Sequence, residues 1–249
     1  MDLGISGKRA AVAAGSAGLG LGAARALAAE GVRVAICGRD VDRVVASAAE
    51  LGPRAVGLVA DLSSTDGAED FVTDAGHRLG GQRAPLVYNA GGPPPGRVAT
   101  PRLDDYRAAL ELNCLSTIAM CRAAVPGMQE RGGGRVVAIT SIGARQPIGY
   151  LAASSTARAA VTGFLKVLST EVAPDGVTVN NLQPGTHDTE RIASLSGDRI
   201  DELRGDIPAG RTGDPDDFGA VAAFLCSQQA GFVTGVGLHV DGGAYRGLQ

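Results

Sequence analysis

The residues Gly15-Ser16-Ala17-Gly18-Leu19-Gly20 are the first cluster whose types and spacing could do chemistry. They stand between an apolar run at 9–14 and a helically spaced segment at 19–30. A glycine-rich turn in that position lets the backbone approach a pyrophosphate, and it aims the free N–H groups and positive dipole end of the helix at the charge. In a chain with 37 glycines the same turn also has a purely structural reading. Arg39 ends the second apolar run, and its guanidinium is well matched to a phosphate dianion; as a bland alternative it is a solvated loop residue before Asp40, the cap of the next helix. His187 has an ordinary pKa suited to proton transfer, against the plainer reading of an exposed loop residue. His77, His187 and His239 do not cluster, and the cysteines at 37, 114, 121 and 226 form no CxxC pair. No metal centre is expected, and the cysteines read as small buried hydrophobes in a reducing cytoplasm.

The elements that would position these residues follow from the apolar patterning. The chain has 249 residues, 45% apolar and 20% charged, with a net charge of −3. That apolar fraction excludes a disordered chain, and the near-neutral balance argues against nucleic-acid binding. No run of roughly 18 uninterrupted apolar residues occurs, so no membrane span is expected, nor is a secretory signal at the start. Val-, Ile- and Ala-rich runs recur at 9–14, 32–37, 55–60, 85–88, 135–140, 176–182 and 236–240. They are nearly continuous in apolar character, as strands buried on both faces of a parallel sheet should be. Between them, 19–30, 40–51, 65–79, 104–130, 152–173 and 215–228 carry helical spacing. The alternation predicts an α/β chain: one doubly wound Rossmann domain over 1–249 with a seven-stranded, mostly parallel sheet. The polar stretch 186–214 interrupts this rhythm just after a strand, where lids over active sites tend to lie.

At this point the sequence resembles the short-chain dehydrogenase/reductase family. The family turn TGxxxGxG maps onto Ala13, Ala14, Gly18 and Gly20, with Ala-Ala in place of the leading Thr-Gly. The resemblance continues through Asp61-Leu62, Asn89-Ala90-Gly91, Asn113, Ser141, Pro184-Gly185, Arg211 to Pro215, Val233-Thr234-Gly235 and Val240 to Gly243. It implies that Asp61 and Leu62 face an adenine, that Asn89, Ala90, Gly91, Pro184 and Gly185 line a dinucleotide, and that Asn113 and Ser141 belong to the catalytic centre. Gly38 stands where NAD-using members place Asp, and Arg39 follows, so the cofactor expected is NADP(H).

The resemblance also exposes a departure. The family YxxxK pair, in which Tyr donates a proton while hydride arrives and Lys holds the ribose, maps onto Ser154 and Arg158. A serine hydroxyl is a poor acid and is shorter than a phenol. Arg158 can still donate to the ribose but cannot change protonation state usefully. Tyr150, four residues upstream, is a candidate donor if the helix extends that far, or else a wall of the pocket. The expected activity is reduction of a C=O, or a C=N, bond of a small molecule with a non-standard proton donor. The alternatives are a non-redox lyase or isomerase and a catalytically inactive nucleotide-binding protein. Apolar residues on more than one face of 104–130 (Leu112, Leu115, Ile118) and 152–173 (Val161, Phe164, Leu168) predict a homotetramer or homodimer.

Overall fold

The computed structural model describes residues 1–81, 86–197 and 200–248. Pro85 of the fourth expected strand, and Asp198 and Arg199 of the polar stretch, lie outside the described residues. Seven strands form one sheet: β1 (Arg9–Val12), β2 (Arg33–Gly38), β3 (Val56–Val59), β4 (Leu86–Tyr88), β5 (Gly134–Ile139), β6 (Val177–Pro184) and β7 (Gly237–Val240). Their order is β3-β2-β1-β4-β5-β6-β7, and every pairing is parallel. The runs at 32–37, 135–140 and 176–182 match β2, β5 and β6 within two residues at each end. The run at 9–14 ends two residues early, because Ala13 and Ala14 already belong to the turn.

Helices α1 (Gly18–Ala29), α2 (Val41–Glu50), α3 (Thr65–Leu79), α4 (Leu103–Leu110), α5 (Ser116–Gln129), α6 (Ala152–Val172), α7 (Glu190–Ser196), α8 (Ile200–Gly205) and α9 (Pro215–Leu225) complete the described architecture. Local chemistry starts several of them. The Asp40 carboxylate accepts from the Arg43 N–H at 3.0 Å, and Ser64 Oγ accepts from the Gly67 N–H at 3.1 Å, each satisfying an otherwise orphaned donor. One apolar cluster, with Phe71, Tyr88, Met120 and Val161, packs α3, α5 and α6 on one face of the sheet. A second, with Leu27, Ile36, Leu182 and Phe218, packs α1 and α9 on the other.

The expected single helix over 104–130 is built in three pieces, with a π turn at Glu111–Leu115 between α4 and α5. The rod Leu103–Gln129 is long and apolar enough to cross a membrane by length and composition alone. Its inner side instead fills the core through Met120, Cys121, Ala124 and Met128. The strand order reverses between β1 and β4, and in open α/β sheets ligands bind outside the strand ends at such a point. The loops that leave these two strands carry Gly15–Gly20 and Asn89–Gly92.

Candidate active site

The turn after β1 is held tightly. Ala14 has φ +45°, a left-handed conformation that favours glycine and strains a side chain. Its carbonyl accepts from Asn89 Nδ2 at 3.2 Å, and its N–H donates to Cys37 Sγ at 3.4 Å. The glycines of the turn have different reasons to be there. A Cβ on Gly20 would lie 2.4 Å from the Ala14 carbonyl oxygen, and one on Gly15 would lie 2.9 Å from Ile36 Cγ2. Both therefore serve the chain's own packing. Gly18 differs: its φ is +53°, and the nearest atom a Cβ would meet is Thr189 Cγ2, 3.5 Å away. A Cβ on Gly91 would meet nothing within 4 Å. The chain leaves open space at Gly18 and Gly91, which suits a ligand lying against the turn.

Helix α1 begins here with no side-chain cap and no acidic residue in its first turn, so its N–H groups and dipole are available to an anion. Half-buried Leu19 roots that first turn in the core. A cavity of about 410 Å³ flanks the turn and is lined by residues including Ser16, Gly18, Arg43, Ser47 and Thr189. Ser141 and Arg158 are not in its lining. The Ser16 carbonyl accepts from Ser47 Oγ at 3.0 Å. Any side chain at position 38 would place its Cβ 2.3 Å from Ser16 Oγ, so an acid there would require Ser16 to move. Arg39 is exposed and lies near Asp61. The Asp61 carboxyl is held below its usual range, first by the Ser63 backbone N–H and to a smaller extent by Arg39. The neighbouring Leu62 is buried.

Ser141 leaves the end of β5 and caps a short 3₁₀ turn, Ile142–Ala144. Its Oγ accepts from the Gly143 N–H at 2.9 Å, which leaves the hydroxyl proton free to be donated elsewhere. Arg158, on α6, is only 5% exposed. Its Nη1 donates to the Ile139 carbonyl at 3.0 Å and its Nη2 to the Ala90 carbonyl at 3.4 Å, while Nε is buried without a partner. Among the described residues no carboxylate pairs with it. Burial lowers its pKa, yet a guanidinium keeps its charge. The site thus contains a buried cation satisfied only by carbonyls, an expensive arrangement in an interior.

Other expected site residues lie differently. Helix α6 begins at Ala152, so Tyr150 is not on it, and the argument that would stack Tyr150 above Ser154 on one helical face fails. The reason is local pairing: the Gly96 N–H donates to the Tyr150 carbonyl at 2.7 Å and the Ala152 N–H to the Gly96 carbonyl at 3.1 Å, which ties this segment to the loop after β4. The Tyr150 side chain is 46% exposed. Ser154 is half-buried, and the buried hydroxyl beside Ser141 is that of Ser155, which accepts from the Ile148 N–H at 3.2 Å. A Cβ on Gly143 would lie 3.2 Å from Ser141 Oγ and 3.4 Å from Ser155 Oγ, so the two hydroxyls share one face of the loop.

Asn113 is fully buried in the π turn. Its Nδ2 donates to the Ala109 carbonyl at 3.2 Å and its Oδ1 is unpartnered. Its main-chain carbonyl is already taken by Tyr88 OH at 3.1 Å and Thr117 Oγ1 at 2.9 Å. His187 is buried rather than exposed: Phe218 meets its ring edge-on at 5.1 Å, its Nδ1 lies 3.3 Å from the Gly185 carbonyl, and burial lowers its pKa. It is only 4% exposed, which contradicts the expectation of an exposed loop residue. Gly185 packs on Asp241, whose Cβ would be 2.8 Å from a Cβ at 185, and its N–H donates to the Val240 carbonyl at 3.0 Å. The neighbouring Pro184 ends β6.

The polar stretch closes on itself at its base. The Gly213 N–H donates to the Thr186 carbonyl at 3.0 Å and the Asp188 N–H to the Gly213 carbonyl at 2.8 Å. Thr189 then caps α7 and faces Gly18, and Arg43 on α2 pairs with Glu190 at 2.7 Å. Thr189 was missed by sequence reasoning because its place opposite Gly18 depends on this closure. The four cysteines are free and buried, and burial pushes the thiols of Cys37, Cys121 and Cys226 up to about 12.

A family model described as enoyl-(acyl carrier protein) reductase matches residues 13–245. Dehydrogenase/reductase SDR family member 4 of Sus scrofa is 32% identical over 245 residues, covering 96% of this chain and 88% of the relative. The 3-oxoacyl-(acyl-carrier-protein) reductase FabG of Vibrio cholerae is 30% identical over 241 residues, covering 97% of this chain and 98% of that protein. The crystal structure of L-sorbose reductase from Gluconobacter frateurii, complexed with NADPH and L-sorbose, superposes with a TM-score of 0.91 at 30% identity and full coverage of both chains. The parallel sheet, the glycine turn at its switch point and these full-length matches lead to one conclusion: the chain belongs to the short-chain dehydrogenase/reductase family of oxidoreductases.

Proposed function

We propose that the protein is an NADP(H)-dependent reductase of a C=O, or C=N, bond in a small molecule, with a proton donor other than the family tyrosine. The observation that carries this reading is buried Arg158, which has no carboxylate partner and an unbonded Nε–H at the edge of the loop 89–91. Such a cation is costly unless a bound molecule uses it, and the ribose hydroxyls of a nicotinamide nucleotide are acceptors of the right kind. The open backbone at Gly18, the uncapped start of α1 and the absence of a Cβ at Gly91 also fit a dinucleotide. Gly15, Ser16, Leu19, Gly20, Asn89, Ala90, Pro184 and Gly185 shape that cleft, and Asp61 with Leu62 bounds its adenine end. The phosphate preference rests on exposed Arg39 at the end of β2, with no acid at position 38.

When bound, the nicotinamide supplies hydride. Ser141, its acceptor side engaged by Gly143, donates a hydrogen bond to the substrate oxygen, where negative charge develops, and keeps its own proton. Arg158 fixes the ribose and adds positive potential. Tyr150, half exposed on the segment before α6, or a water molecule delivers the proton. The fold shared with L-sorbose reductase, whose structure is complexed with NADPH and L-sorbose, supports a small-molecule substrate. We further propose that the protein works in the cytoplasm as a homodimer or homotetramer.

The test is oxidation of NADPH against a panel of ketones and imines. Turnover of a member of the panel is expected; tight NADPH binding without turnover by any of them would sink the reductase reading. Arg39→Ala should weaken NADPH binding roughly ten-fold or more and leave NADH nearly unchanged, since a charge-assisted phosphate contact is worth ~1.5–3 kcal/mol. Equal losses for both nucleotides would refute the phosphate assignment.

A further inference from the structure

A second guanidinium reaches the same loop from a different helix. Arg191, on α7, is half-buried, and its Nη2 donates to the Pro93 carbonyl at 2.6 Å. The position before that proline is Gly92, where a Cβ would lie 2.8 Å from Arg191 Nη2. Only glycine leaves room for the guanidinium to lie across this backbone. Arg158 holds the Ala90 carbonyl three residues earlier. Two arginines from different helices therefore converge on the segment 90–93. Neither has a carboxylate partner among the described residues, whereas Arg25, Arg43, Arg102, Arg107 and Arg204 do. The two cations also act on each other, since Arg191 disfavours the charge on Arg158.

Like charges gathered in a partly desolvated place are unfavourable unless a counter-charge arrives. Arg191 spends one N–H on Pro93 and keeps a planar fork of donors, the geometry that recognises a carboxylate with two parallel bonds. We propose that Arg191, backed by the field of Arg158, is the receptor for a carboxylate on the substrate, so that the protein acts on oxo acids in preference to neutral ketones. The proposal rests on the reductase reading for the word substrate. The carboxylate site itself is tested by binding alone.

The experiment titrates the NADP⁺-saturated protein with straight-chain acids from butanoate to octanoate and with the matched amides, using calorimetry. The acids should bind about ten-fold or more tightly than amides of the same length. Arg191→Gln should abolish that preference while leaving the amides and NADP⁺ within about two-fold of their original affinities. Arg191→Lys should restore part of the preference, because it returns the charge without the fork. Absence of an acid preference throughout the series would overturn the proposal. So would an equal loss for acids and amides, which would make Arg191 a structural clasp on Pro93. A loss confined to NADP⁺ would overturn it too, by assigning the guanidinium to the cofactor pyrophosphate. A protein that prefers acids yet never oxidises NADPH would keep the carboxylate site and lose the reductase reading.

Discussion

In the proposed reaction the chemistry turns on Ser141 and Arg158, and the hydrogen bonding of Ser141 predicts the effect of its substitution. Ser141 has its lone-pair side occupied by the Gly143 N–H, so its proton is directed outward. A donor aimed at developing charge acts mainly in the transition state, and Ser141→Ala should lower kcat by roughly 10²–10³-fold with KM little changed. Ser154→Ala should matter far less, because a serine hydroxyl is a poor acid and is too short to replace a phenol. Tyr150→Phe separates the proton sources: a fall of about 10²–10⁴-fold in kcat marks Tyr150 as the acid, and full activity assigns the proton to water. Steady-state rates for the three variants decide this. His187 gives a pH signature of a different kind. Burial lowers its folded pKa below the ordinary 6.5, so the unfolded chain binds the proton first as pH falls. Its contribution to stability is full above about pH 6.5 and is lost as pH drops from there towards the depressed folded value. The slope should be at most about 1.4 kcal/mol per pH unit. Urea melts between neutral and mildly acidic pH should show the loss, and His187→Gln should flatten it.

Among the elements, the closest approach is between α1 and α9. A Cβ on Gly22 would lie 2.1 Å from the Pro215 carbonyl oxygen, and one on Gly219 would lie 2.1 Å from the Gly22 carbonyl oxygen. Backbone packs on backbone there, and no side chain can yield. Gly22→Ala should cost about 1–3 kcal/mol as the helices are forced apart, lowering Tm by several degrees in a thermal melt. Because α1 starts at the glycine turn and α9 starts at the end of the polar stretch 186–214, the same variant should also weaken NADPH binding. An unchanged Tm would mean that the two helices are free to separate. The strands and most helices were legible in the sequence because each is a continuous apolar run or a clean helical period. The π turn at 111–115 was not, since it inserts a residue's worth of slack without altering the apolar pattern. The start of α6 was legible, since the helical spacing over 152–173 begins where the helix does, at Ala152, and pairing between Gly96 and Leu151, distant in sequence, fixes the segment before it. The glycine turn was legible from its place between a strand and a helix, but residue type could not separate Gly15 and Gly20, needed for packing, from Gly18, which faces open space. Arg158 could be found by spacing. Arg191 could not, because its meaning comes from a loop a hundred residues away.

At the scale of the whole molecule, the chain leaves apolar surface that its own core does not use. Leu103 and Leu115 on the α4–α5 rod are 68% and 43% exposed, and Val167 on α6 is 65% exposed. Ala159, Ala160 and Gly163 on the same side of α6 are exposed and small, so another helix could approach closely. On the far edge of the sheet, β7 pairs only with β6 and its residues are half-buried, leaving a free strand edge. Most oligomers of identical chains have two-fold axes, across which one patch meets its own copy. A patch of this composition is therefore self-complementary, apolar against apolar, and a charge introduced into it is introduced twice, each copy facing the other. Light scattering at micromolar concentration should give a multiple of the 25.0 kDa chain mass. Val167→Asp should shift the mass towards 25.0 kDa without changing the thermal unfolding of the isolated chain, because Val167 touches little of its own core. A parent protein that runs as a monomer would remove the α6 face from consideration. A Val167→Asp protein that stays associated would move the interface to the α4–α5 rod or to the β7 edge, where Leu115→Asp tests the first of these in the same way.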